Sequence, residues 1–213
     1  PELKHKGIRA FIVEKEAEGF SIIRKEEKMG IRASDTAQLA FDNVRVPDDQ
    51  VLGPEGSGFK VAMSTLDGGR IGIASQALGI SAAAYEAALA YSKEREQFGR
   101  PISAFQAIQW KIADMATRLD AARLLTYRAA WQKDQGQLGN TLEMSYAKFF
   151  AGEAVARCAH TAMKILGAYG YSTEYPVARI YRDTPTYYMV EGSANICKWI
   201  IALDQLGYRK ANR

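Results

Sequence analysis

The sequence predicts an α+β fold: a partial β-barrel or sheet segment followed by an antiparallel four-helix bundle. Two observations carry this. The first quarter is built of short β-branched and aromatic runs separated by Gly, Pro and Asp-Asn turn signals. From about Phe59 the chain turns Ala-rich, and its apolar residues recur at spacings of three and four. The change follows "LGPEGSGF" and divides the chain into 1–54 and 55–213.

In order, "GIRAFIVEK" and "GFSII" read as strands. "TAQLAFDNVRVP" puts Leu39, Phe41, Val44 and Val46 on strand faces, with Asp-Asn as a turn or bulge and Pro47 as a stop. These strands are too few to close a barrel, so the sheet needs partners from elsewhere. The first helical pattern spans roughly Gly58 to Gln97 and contains Gly68, Gly69, Gly72 and Gly79. Each costs about 1 kcal/mol against Ala in a helix, which suits either close approach of a ligand or backbone, or tight helix packing. "FGRPIS" breaks the helix. Ser103 and Gln106 read as a capping box that restarts it, followed by the stripe Ile108, Ile112, Met115, Leu119 and Ala122. The polar stretch "KDQGQLGN" ends this helix, and Asn140 with Glu143 reads as a second capping box opening a third helix to about Leu166. "GAYGYSTEYP" reads as a loop and "PVARIYRD" as a short helix. The last helix carries Ile196, Ile200 and Leu203 on one face.

The chain has 213 residues, 47% hydrophobic and 24% charged, with a net charge of +4, so it can fill a core. Its basic residues are interspersed with acids, so a nucleic-acid surface is not indicated, whereas an anionic small ligand fits. Cys158 and Cys197 lie in apolar helical patterns and are expected to be buried, reduced thiols. His5 and His160 suggest no metal motif. No run is long enough for a membrane span, and no signal peptide opens the sequence, which makes a cytoplasmic protein the expectation. The start lacks Met and enters a strand almost at once, so the chain reads like the middle of a longer one.

Four stretches could carry chemistry. In "YYMVEGSANI", Glu191 follows large apolar residues and precedes a glycine and a helix. It is either an acid favoured at a positive helix end, worth about 0.3–1 kcal/mol, or a base. An apolar pocket would make a carboxylate a stronger base. "REQFGRP" offers Arg95 for phosphate and Phe98 for stacking, or simply a cationic helix end. "LGAYGY" is a weak phosphate-loop signal. "LDGGR" sets Asp67 and Arg70 three apart, as an intrahelical ion pair or a polar pair facing a ligand.

Taken together, "FDNVRVPDDQVLGPEGSGFKVAMSTLDGGRIGIASQALGI", "SKEREQFGRPISAFQAIQWKIADMA", "ILGAYGYSTEYPVARIYRD" and "VEGSANI" resemble the C-terminal part of the acyl-CoA dehydrogenases, over essentially all of the chain. The first half resembles the short-chain, butyryl-CoA members. The C-terminal stretch is more similar to the non-decarboxylating glutaryl-CoA dehydrogenases of anaerobic bacteria. The resemblance implies that 1–54 is the end of a middle β domain and 55–213 a helical bundle domain. It implies α,β-dehydrogenation of an acyl-CoA to its trans-2-enoyl-CoA, with FAD taking the β-hydride and Glu191 the α-proton. Gly69 stands where some members carry the base, which strengthens Glu191. Leu66, Asp67, Gly69, Arg70 and Gly192 fall on the substrate channel. The Glu191 N–H is implied to bond the acyl carbonyl.

The resemblance places Arg95, Gln97, Phe98 and Gln106 on the FAD of a neighbouring subunit, along with Lys164, Ile165, Leu166, Gly167 and Ala168. Ser193 and Asn195 are implied to contact FAD. Lys164 and Ala168 depart from the family's usual Gln and Gly, and Val190 from its usual Tyr, a change shared with the glutaryl-CoA pattern. A homodimer or homotetramer, an electron-transfer flavoprotein as acceptor and a bacterial cytoplasmic setting follow as expectations. The family's N-terminal helical domain and the first part of its β domain have no counterpart in this sequence. The rival reading is a helical oligomerisation module of the same fold that has lost catalysis.

Overall fold

The computed structural model describes residues 2–136 and 140–211. The chain divides into two compact units, Pro1–Leu66 and Asp67–Arg213.

The first unit holds two separate two-stranded antiparallel sheets. Strand β1 (Ala10–Phe11) pairs with β4 (Val51–Leu52), and β2 (Phe20–Lys25) pairs with β3 (Ala37–Phe41). No barrel closes among the described residues. "GIRAFIVEK" contributes only two paired residues, because Pro47 and a short 3₁₀ turn at Asp48–Gln50 leave a partner strand of the same length. Strand β3 stops at Phe41, where Asn43 adopts a positive φ of 52°, so Val44 and Val46 lie beyond it. The β2–β3 register shifts between Ile22 and Arg24, while Phe20 and Phe41 meet edge to face at one end. Phe11, Ile22, Ile23, Leu39 and Phe41 are exposed, as expected of a sheet short of partners.

The second unit is helical. Its first helix, α1 (Gly58–Glu94), begins in the first unit and ends three residues earlier than the sequence pattern suggests. Residues 95–101 form a hairpin instead, β5 (Glu96–Gln97) against β6 (Arg100–Pro101). Phe98 and Gly99 turn it with φ of 55° and 76°, the left-handed pair of a tight hairpin. A 3₁₀ turn at Ile102–Ala104 then leads into α2 (Gln106–Asp134). Ser103 therefore lies inside that turn and is not the cap. Phe105 takes the N-cap position without a side-chain bond, and the Ser103 carbonyl accepts from Gln109.

Helix α3 (Thr141–Leu166) follows. Asn140 is at its N-cap position, but its side chain does not cap. It is buried and donates to the Ala129 carbonyl at 2.9 Å, tying α3 back to α2. The polar stretch predicted between α2 and α3 includes 137–139, which lie outside the described residues. The segment expected as a Gly-Tyr loop contains a helical turn, α4 (Ala168–Tyr171), because Gly170 packs against Met163 where a Cβ would lie 2.7 Å from a backbone oxygen. Then come α5 (Pro176–Asp183), the single turn α6 (Thr186–Met189) and α7 (Ala194–Gln205).

Helices α1, α2 and α3 run antiparallel in sequence. Ala74 and Ala77 share one core with Ala122, Ala129, Met144 and Ala151. Ala84 and Ala88 share another with Met115, Cys158 and Ala162. The many alanines let the helix axes approach closely, and α7 packs against α3 as the fourth member. Cys158 and Cys197 are free and buried, and burial pushes the Cys158 thiol up to about 11. No helix among the described residues is long and apolar enough to cross a membrane, and no cluster of His, Cys, Asp and Glu could hold a metal ion.

Candidate active site

Glu191 lies between α6 and α7, two residues ahead of the α7 N-cap Ser193, whose hydroxyl accepts from the Ile196 N–H. Its carboxylate does not serve the helix end. It turns to α1, where a Cβ built on Gly69 would fall 2.1 Å from Oε2 and 2.6 Å from Cδ. Any side chain at 69 would displace it. Of the four α1 glycines, Gly72 and Gly79 face open space and Gly68 meets only the end of Lys133. Close approach thus explains Gly69 alone.

Oε2 of Glu191 is buried and has no hydrogen-bond partner among the described residues. Buried polar atoms are nearly always paired, so an orphaned carboxylate oxygen marks a group held ready for something else. The backbone here is also unusual. Glu191 and Gly192 both have positive φ, 53° and 93°. Glycine adopts this readily, whereas for Glu it costs of order 1–3 kcal/mol and persists only where the surroundings over-determine it.

Two cations hold the turn through its carbonyls. Arg70 donates from Nε to the Glu191 carbonyl at 3.4 Å. Lys148, from α3, donates from Nζ to the Gly192 carbonyl at 2.6 Å and to that of Tyr188 at 3.3 Å. Arg70 is itself fixed by Asp67 at 2.6 Å, and Thr141 donates to the other Asp67 oxygen at 2.8 Å. The Asp67–Arg70 pair is the intrahelical ion pair that their spacing allows, with the Arg70 side chain buried. Desolvation lowers the pKa of Lys148, an effect partly opposed by Cys197 and Glu191 and reinforced by Arg70. Tyr187 anchors the segment in the core, its carbonyl lying over Gly152 of α3, where a Cβ would come within 2.9 Å.

The structure thus brings Asp67, Gly69, Arg70, Glu191, Gly192 and Ser193 together. Asn195 is exposed on the first turn of α7. Leu66 precedes Asp67 on α1, in the first unit. Lys148 and Thr141 were missed by the sequence reading. Lys148 had a signal, a lone cation on the apolar stripe of Met144, Ala151, Val155 and Cys158, while Thr141 had none beyond its place beside a helix start.

The remaining predicted residues gather elsewhere. Arg95, Gln97 and Phe98 lie on or beside the β5–β6 hairpin, and Phe98 is 93% exposed. Phe98 meets Phe105 edge to face, next to exposed Gln106, while Arg100 stacks over Phe105. Arg95 lies 5.8 Å from the ring of Tyr169, which follows Ala168. The α3 end, Lys164–Ala168, therefore adjoins the hairpin. Ile165 and Leu166 are buried core, whereas Lys164, Gly167 and Ala168 are exposed. Lys164 also borders a groove of about 320 Å³ between α2 and α3 with Lys111, Arg157 and His160. Exposed Arg, Lys, amide and aromatic groups at one end of the helices have the chemistry to meet phosphates and a base. About 25 residues of α1, some 37 Å at about 1.5 Å per residue, separate Gly69 from Glu94.

Comparison with known proteins completes the picture. The chain is 54% identical over 210 residues to the glutaryl-CoA dehydrogenase of Desulfococcus multivorans, covering 98% of this chain and 54% of that protein. It is 50% identical over 200 residues to the mitochondrial short-chain specific acyl-CoA dehydrogenase of Bos taurus, covering 94% and 48%. The chain thus spans about half the length of the curated relatives it matches. Among solved structures, a glutaryl-coenzyme A dehydrogenase in complex with glutaryl-CoA superposes with a TM-score of 0.96 at 54% identity, covering 98% of this chain and 53% of that one. Butyryl-CoA dehydrogenase from Megasphaera elsdenii superposes with 0.94 at 46% identity, covering 97% and 54%. Residues 56–206 match the acyl-CoA dehydrogenase C-terminal domain, and with that match the chain belongs to the acyl-CoA dehydrogenase family.

Proposed function

We propose that this chain is the C-terminal part of an FAD-dependent acyl-CoA dehydrogenase that oxidises a short-chain or glutaryl thioester to its trans-2-enoyl-CoA. The observation that carries the reading is the buried, unpartnered Glu191 oxygen above Gly69. Glu191 takes the α-proton. The orphaned oxygen has no bond to break before it accepts one, and its burial keeps competing water away. Gly69 leaves room for the carboxylate, and among the described residues the Glu191 N–H makes no hydrogen bond, so it is free to donate to the thioester carbonyl and acidify the α-carbon. Asp67 and Arg70 line the approach and hold the base from behind.

FAD, when bound, supplies the acceptor for the β-hydride. The residues present suit it: Arg95, Gln97, Phe98, Gln106 and Lys164–Ala168 offer charge, amides and an aromatic face at one end of the helices. Ser193 and Asn195 lie at the other end, beside Glu191. The length of α1 between the two groups supports assigning the hairpin to the FAD of a neighbouring subunit, hence a homodimer or homotetramer. Val190 and the similarity to glutaryl-CoA dehydrogenase favour a glutaryl substrate, and an electron-transfer flavoprotein is the proposed acceptor.

The test is Glu191→Gln in the full-length protein. We expect FAD to stay bound and acyl-CoA-dependent bleaching of the flavin to disappear. Bleaching that survives removes Glu191 as the base, and a full-length protein that purifies colourless favours a non-catalytic assembly module instead. A panel of butyryl-, glutaryl- and cyclohexanecarboxyl-CoA, with product analysis for crotonyl- against glutaconyl-CoA, fixes the substrate.

A further inference from the structure

Helix α3 is an Ala-rich core helix, and one of its inward positions carries an ammonium group. Lys148 is 1% exposed, the largest fully buried side chain among the described residues. Burying a cation is costly unless it is well bonded. Among the described residues no carboxylate lies within ion-pair distance of its Nζ. Its bonds go instead to two main-chain carbonyls, Tyr188 and Gly192, which bracket Glu191. These are the two ends of the segment in which Glu191 holds its left-handed conformation.

We propose that Lys148 is the positioning residue for the base: it clamps the carbonyls on either side of Glu191 and so keeps the strained turn that aims the carboxylate at Gly69. The division of labour with Arg70 is clear from the donors. Arg70 reaches the Glu191 carbonyl from α1, and Lys148 reaches those of 188 and 192 from α3, so the turn is held between two helices. Neither cation bonds the carboxylate itself. A cation bonded there would stabilise the ionised form and weaken a base, whereas one bonded to the main chain fixes direction and leaves the oxygen free.

The inference rests on the reading of Glu191 as base, so Glu191→Gln is measured beside it. In flavin-loaded full-length protein, Lys148→Met keeps the length of the side chain and removes the donor. We expect flavin occupancy and crotonyl-CoA affinity within about threefold of wild type, and flavin reduction by butyryl- or glutaryl-CoA slower by on the order of 100-fold, the effect of a reacting group displaced by about 1 Å. Amide hydrogen exchange should rise at 188–193 and stay unchanged in α3. Reduction within about threefold of wild type overturns the proposal. So does loss of flavin with faster exchange along α3 in both Lys148→Met and Lys148→Gln, because Lys148 is then a residue of general stability. If Glu191→Gln still reduces flavin, the base assignment itself fails and this inference falls with it. If Glu191→Gln is dead and Lys148→Met is normal, only the positioning role is lost.

Discussion

A methyl group at position 69 would sit on the Glu191 carboxylate, so Gly69→Ala sets two effects against each other. Ala stabilises a helix by about 1 kcal/mol relative to Gly. The three atoms nearest the new Cβ all belong to the Glu191 side chain, which can swing aside. Stability should therefore hold or rise slightly, while the carboxylate loses its place and flavin reduction slows by about 10-fold to 100-fold. Thermal melting and single-turnover reduction of the full-length protein check both halves. A variant as fast as wild type would show that the carboxylate works from another position. At this scale the sequence singled out the residues of the proposed site. Glu191 was singled out from its apolar neighbours and Gly192, and Gly69 from its place in "LDGGR". The direction of the carboxylate was not readable, because a Glu beside a helix start looks the same whether it faces the helix or a distant glycine. Thr141 and Lys148 act through partners 74 and 44 residues away in sequence, and such pairings leave no local pattern.

At the scale of elements, the helices were legible because their apolar spacing is dictated by burial, and α3 and α5 also end where the sequence puts them; the capping at two helix starts was not legible. Ser103 and Asn140 each fit a capping box, yet a 3₁₀ turn takes up the first and the Ala129 carbonyl captures the second. A competing local turn in one case and a tertiary partner in the other outweigh a motif worth about 1 kcal/mol. The β5–β6 hairpin was missed for a related reason: "REQFGRP" lacks the alternating apolar residues of a strand and shows only its Gly. The packing of α3 gives a sharper prediction. In Gly152→Ala the Cβ meets the Tyr187 carbonyl, which is main chain and cannot swing away, so the variant should lose about 1–3 kcal/mol and melt earlier. Gly79→Ala meets nothing and should gain about 1 kcal/mol. Denaturation of both variants in the full-length protein compares them directly. A destabilised Gly79→Ala would reveal a partner's backbone against that face of α1.

At the scale of the whole molecule, the proposed assembly makes each site from two chains, with Glu191 of one and the Arg95 hairpin of another. Two inactive variants should then repair one another. Glu191→Gln and Arg95→Ala homodimers should each be impaired, the second through weaker FAD binding. A co-expressed hybrid contains one site with an intact Glu191 and an intact Arg95, and it should recover flavin reduction. Purifying hybrids through two different affinity tags and assaying single-turnover reduction decides the matter, and hybrids no faster than their parents would place Glu191 and Arg95 of the same chain in one site. The fold class was legible at this scale because composition changes sharply near Phe59. The barrel was not, since its expected strands are represented by two separate ribbons in this chain.

The hairpin starts where the uninterrupted helix that carries Gly69 ends, and this makes the length of α1 a functional quantity. A loop absorbs an extra residue by bulging, but a helix passes it on. One residue inserted between Arg70 and Glu94 would turn the rest of the helix by about 100° and advance it by about 1.5 Å. Arg95 and Phe98 would then face a different direction relative to Gly69. The stretch between them has no proposed chemical role of its own, yet in the proposed assembly it works as a gauge block whose count of residues sets where one subunit can reach into the next.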